Sequence, residues 1–175
     1  MGKASRKKGN KLERALENVD AIVLVHPAFD LRDLGAYNKS PESYVEGLRQ
    51  MNAAAQKQGK PIYAIPYTSN HLTLLPPEII EPWSILNPRM YDMMPNQGLQ
   101  TLSKELNREI TQLTIALGGI YETACVAGWG QTCFQRYEGR HIREEFKEKI
   151  ELVRPMIPLK GLSAKVIHTI TRDKV

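Results

Sequence analysis

"DAIVLVHPAFD", residues 20–30, decides the fold. Ala21 to Val25 is an unbroken apolar run rich in β-branched side chains, and it stops at His26-Pro27. A strand that is apolar at every position has both faces covered, which is the mark of a parallel sheet between layers of helices. An antiparallel strand with one wet face would alternate instead.

Reading outward, "SPESYVEGLRQMNAAAQKQGK" (40–60) carries a helix with its own punctuation. Ser40 is the N-cap, Pro41 takes the first helical position, and Glu42 and Glu46 lie near the positive end. Tyr44, Val45, Leu48, Met51, Ala54 and Ala55 supply the apolar face, and Gly59 supplies the stop. "KPIYAIPY" (60–67) predicts a second strand, followed by a proline-rich loop with Pro76, Pro77, Pro82 and Pro88. A helix is expected over 98–109 and a third strand over 110–120. A further helix is expected over 123–137, weakened by Gly128 and Gly130 at about 1 kcal/mol each. "IREEFKEKIELVRPMI" (142–157) begins as a charged helix and turns strand-like near Ile150. The tail "SAKVIHTITRD" (163–173) fits neither period.

Strands alternating with helices predict an α/β protein, a three-layer sandwich around a mainly parallel sheet. In such sheets ligands bind outside the carboxyl ends of the strands. The expected ends gather His26 and Asp30 after the first strand, Tyr67 to His71 after the second, and Tyr121 to Cys125 after the third.

The chain of 175 residues fits one domain with a core of its own. No apolar run approaches the roughly 20 residues of a membrane span, and no apolar signal core follows the basic start, so no membrane role is expected. Two cysteines without a metal-type CxxC pair fit a reducing, cytoplasmic setting. Residues 1–14 hold six Lys or Arg against one Glu, which accounts for the whole net charge of +5 and leaves the rest neutral. Residues 1–17 therefore read as a basic arm on a domain of residues 18–175. The arm is either a solvated terminus or a nucleic-acid contact working by counterion release.

"GKPIYAIPYTSNH" and "ALGGIYETACV" together resemble the isochorismatase-like cysteine hydrolases, which include the nicotinamidases, across residues 19–137. "GIYETACV" resembles the family's Gly-x-x-Thr-x-x-Cys-Val element, with Thr123 displaced by one and Glu122 in its usual place. The resemblance implies the isochorismatase-like hydrolase fold, a homo-oligomer, and a thiolate attacking a small amide or related carbonyl compound. It makes Cys125 the nucleophile and the N–H groups of Tyr121 and Cys125 the oxyanion hole. Ile120–Tyr121 is then the candidate cis bond, at a cost of about 3 kcal/mol.

The departures are specific. "HPAFDL" stands where the family has an aspartate-led segment, so His26 occupies the position of the catalytic aspartate and Asp30 that of the second. "SILNPRMYD" offers Asn87 where lysine is expected, with Arg89 two residues on. The metal pattern of the nicotinamidases is reduced to His71, so neither a metal nor another cofactor is expected.

Two readings of the site follow. A thiol–imidazole pair of Cys125 and His26, oriented by Asp30 or Asn87 with Arg89 as the positive charge, would be a working variant. Alternatively Cys125 is packing in a silent relative that holds a small-molecule ligand or a partner. Tyr67, His71, Asp30 and Arg89 line the pocket in either case.

Overall fold

The computed structural model describes residues 12–29, 31, 40–92, 95–138 and 159–166. The elements in order are α1 (residues 12–16), β1 (Ala21–Val25), α2 (Pro41–Lys57), β2 (Ile62–Ile65), α3 (Pro77–Ile80), β3 (Trp83–Ile85), α4 (Arg89–Asp92), α5 (Pro95–Leu106), β4 (Thr114–Gly119), α6 (Ala127–Cys133), β5 (Phe134–Glu138) and β6 (Leu159–Val166). The strands form one six-stranded sheet in the order β3-β2-β1-β4-β6-β5, and every pairing is parallel.

The strand period of two sorts the apolar residues into two cores. Ile22 and Leu24 of β1, Ile62 and Ala64 of β2, and Ala116 of β4 face α2, joined there by Leu48, Met51, Leu12 and Leu16. Ala21, Val23 and Val25, with Tyr63, Ile65, Ile115 and Leu117, face the opposite way onto Leu99 and Leu102 of α5 and Trp129 of α6. Helices thus cover both faces of the sheet, and the α/β sandwich with continuously apolar strands is as expected from the sequence. The buried Leu12 and Leu16 place the end of the stretch read as an arm inside the first core; residues 1–11 lie outside the described residues.

Punctuation residues act as their chemistry dictates. The Ser40 hydroxyl accepts from the Ser43 N–H, Pro41 opens α2, and Gly59 takes the left-handed conformation past its end. Asn107 closes α5 in the same left-handed way, which stops that helix before 109. Its start lies earlier than expected because Pro95 is tolerated in a first turn.

Other boundaries differ from expectation. Residues 110–112 form a 3₁₀ turn, and β4 begins only at Thr114, whose N–H donates to the Asp20 carboxylate at 2.8 Å. Asp20 also pairs with Arg108 at 3.3 Å, so the first residue ahead of β1 sets where β4 starts. The expected helix over 123–137 is a π turn (Glu122–Val126), then α6, then strand β5. Phe134 and Tyr137 favour extended structure, and the glycines at 128 and 130 weaken a longer helix. β3 lies inside the stretch read as a proline-rich loop. Trp83 anchors it through Asn52 of α2, which accepts from the indole N–H at 2.8 Å and donates to the Ile79 carbonyl at 2.8 Å. Of the expected helix-to-strand stretch 142–157, all residues lie outside the described ones; the ambiguous tail contributes its first residues to β6.

Candidate functional site

The strand order reverses between β1 and β4. From β1 the chain passes through α2 to β2 and on to β3 on one side, then returns through α5 to β4 on the other side of β1. α2 and α5 lie on opposite faces, so neither of these two helices crosses the carboxyl ends of β1 and β4. Such a switch point leaves an opening where ligands of open α/β sheets bind. His26 directly follows β1, and Tyr121 to Cys125 follow β4, so these two segments flank it.

His26 is held there under strain. Its N–H continues the β ladder by donating to the Ile65 carbonyl at 2.8 Å, while its φ of +49° is left-handed. That conformation costs a residue with a Cβ about 1–2 kcal/mol. The turn that follows closes with the Phe29 N–H donating to the His26 carbonyl at 3.2 Å, and the Tyr44 hydroxyl of α2 donates to the Pro27 carbonyl at 2.8 Å.

An aromatic group covers the three strand tips. Phe29 lies at its centre, with ring centroids 4.5 Å from Tyr67, 5.8 Å from His71, 5.9 Å from Tyr121 and 6.2 Å from His26. His26 meets Tyr67 edge-on at 5.3 Å, and Tyr67 stacks on His71 at 5.5 Å with 20° between the planes. Tyr67 remains 49% exposed although it is a large aromatic, so the group ends in an open face. Nδ1 of His71 is buried and has no hydrogen-bond partner among the described residues. A separate cavity of about 650 Å³, lined by Leu31, Val45 and Leu74 among others, lies by the start of α2 and includes none of the expected site residues.

Cys125 sits in the π turn after β4, closed by the Val126 N–H donating to the Tyr121 carbonyl at 3.0 Å. π turns are uncommon and recur at functional sites. The thiol is buried in the second core, in the apolar cluster that also holds Val25, Val126, Trp129 and Cys133. Tyr121 packs against both cores. Among the described residues no peptide bond is cis, so the expectation of a cis Ile120–Tyr121 bond is corrected. Just before it, Gly119 ends β4 where the chain passes too close to the Val25 carbonyl for a side chain.

Electrostatically His26, the expected base, is held in its uncharged form. Burial first, and the charge of the neighbouring His71 second, push the His26 imidazole down to about 4. Near neutral pH it is an uncharged ring. Ordinary thiols ionise near 8.5, so an imidazole this acidic is a weak acceptor for a thiol proton. A resting thiolate–imidazolium pair is disfavoured on that ground.

The remaining expected residues are distributed as follows. Asn87 and Arg89 follow β3, with β2 and β1 lying between that strand and β4. Both are exposed, and the Asn87 side chain accepts from the Arg89 N–H at 3.0 Å just ahead of α4. Asp30 lies outside the described residues. The structure therefore brings together His26, Tyr67, His71 and Tyr121. It adds Phe29, which the sequence shows as an aromatic three residues past His26, and Tyr44, which reads there only as part of an apolar face. Among the described residues no group of three or more His, Cys, Asp or Glu side chains is placed to hold a metal ion, and no helix is long and apolar enough to cross a membrane. No family model matches the chain, and no curated protein and no solved structure matches it either.

Proposed function

We propose that this protein is a relative of the isochorismatase-like cysteine hydrolases that binds a small planar molecule at the carboxyl edge of its sheet, without the family's charged catalytic base. The observation that carries the reading is the aromatic group at the switch point. Four rings besides His26 converge there from three strand tips, and the outermost, Tyr67, offers a half-exposed face. Stacking on such a surface recognises planar ligands. The lowered His26 leaves a neutral imidazole beside it, suited to hydrogen bonding and poorly suited to stabilising a thiolate.

A second reading, hydrolysis of a small amide through Cys125, is favoured by the π turn that places this cysteine directly after β4. One experiment separates the two. Nicotinamide and benzamide serve as planar amide probes in a titration followed by ligand-observed NMR, with ammonia release measured in parallel. The binding reading expects saturable binding that is lost in Tyr67→Ala, no ammonia, and slow iodoacetamide labelling of Cys125. Ammonia release that vanishes in Cys125→Ala would replace it with the hydrolase reading. An absence of binding by both probes would overturn the planar-ligand assignment.

A further inference from the structure

We infer that Tyr44, in the first turn of α2, is the positioning residue of this edge, its hydroxyl latching the strained turn that presents His26. The placement of His26 beside a bound molecule rests on the reading above, whereas the latch is a matter of geometry alone.

The left-handed backbone at His26 persists only because its surroundings hold it. The His26 N–H bond to Ile65 fixes the residue on the sheet side, and the Phe29 N–H bond closes the turn on itself. Neither bond prevents the segment after Val25 from swinging away from α2 as a unit. The Tyr44 hydroxyl does, because it reaches from the helix layer to the Pro27 carbonyl, one residue past the strained position. Tyr44 is buried at the sheet-facing side of α2, between Ser40 at the cap and Leu48 a turn later, so its ring cannot follow a moving turn. Proline at 27 adds stiffness, since its ring fixes φ in the turn. Among the described residues Phe29, Tyr67 and His71 stand against His26, and the turn's position decides how closely they cover it.

Released from the latch, the turn relaxes toward negative φ and His26 gains water. Tyr44→Phe removes the hydroxyl and keeps the ring. Leu48→Ala is the control, since it weakens the same helix and the same core while leaving the Tyr44 hydroxyl and its bond to the Pro27 carbonyl in place. Imidazole resonances of the full-length proteins, titrated by NMR, read the His26 pKa. In Tyr44→Phe it is expected to rise from about 4 by about one unit or more toward the ordinary value, and in Leu48→Ala to stay where it is. An unmoved His26 in folded Tyr44→Phe overturns the inference, as does an equal rise in the control.

Should Tyr44→Phe fail to fold, hydrogen exchange of the unaltered protein decides. A latched turn opens only with α2, so the Phe29 amide exchanges about as slowly as the Leu48 amide. Exchange at Phe29 roughly 100-fold faster refutes the latch. No ligand enters these measurements, so a failed amide titration with a moved His26 removes the planar-ligand reading and leaves the latch standing.

Discussion

Acid should unfold this protein through His26, and by an amount the structure sets. The imidazole is 4% exposed, its pKa is lowered from 6.5 to about 4, and the first cause is burial. Between those two values the unfolded chain binds a proton that the folded chain refuses. The unfolded state therefore gains as pH falls, beginning below 6.5 and complete below about 4. The full difference amounts to about 3 kcal/mol, of which about 2 kcal/mol is already lost near pH 5.

His26→Asn is the comparison protein, because asparagine tolerates the left-handed backbone and does not titrate. Urea unfolding of both proteins is measured at about pH 8 and about pH 5, and the two losses of stability are subtracted. His71, His141 and His168 are present in both proteins, so their contributions cancel to first order. The wild type is expected to lose about 2 kcal/mol more than His26→Asn over this interval. Equal losses would mean that His26 is not held neutral by burial. The neutral-site argument would fall with it.

Two further outcomes test the packing that builds the edge. Gly119→Ala puts a Cβ onto the Val25 carbonyl oxygen and within 2.9 Å of Val126 Cγ2; a loss of about 3 kcal/mol in urea unfolding is expected, and a change under about 1 kcal/mol would refute the close approach. Asn52→Leu removes both hydrogen bonds that tie Trp83 and Ile79 to α2 and leaves a buried indole N–H unsatisfied, for a loss of about 2–3 kcal/mol. Repeating it in a Trp83→Phe background should roughly halve that cost, because no donor is then stranded; an undiminished cost would count against the bridge.

The parts of the fold legible in the sequence are those governed by neighbours along the chain. Ala21 to Val25 is a strand because every residue is apolar, and α2 starts and stops at Ser40, Pro41 and Gly59 because those residues satisfy or terminate a helix locally. The hidden parts depend on distant partners. β3 is only three residues long, too short for any period to show, and it exists because Asn52 and Ile62 lie beside it. β4 starts at Thr114 because of a carboxylate 94 residues earlier. The site divides the same way. Parallel strands put their following segments on one edge, so grouping His26, Tyr67, His71 and Tyr121 needed only the strand ends. The central place of Phe29, the backbone strain at His26 and its lowered pKa come from burial and three-dimensional packing, which residue order does not display. Tyr44 shows the limit most clearly, since its spacing along α2 reveals a core position and hides the hydroxyl bond to Pro27.

The glycine at 119 has a wider consequence for what this edge can evolve to hold. Main chain meets main chain there, so the gap between the first and fourth strands is a fixed dimension that no exchange of side chains can widen. Selection for a bulkier guest must therefore act on the rim, through residues such as Tyr67, His71 and Tyr121, while the floor keeps one gauge.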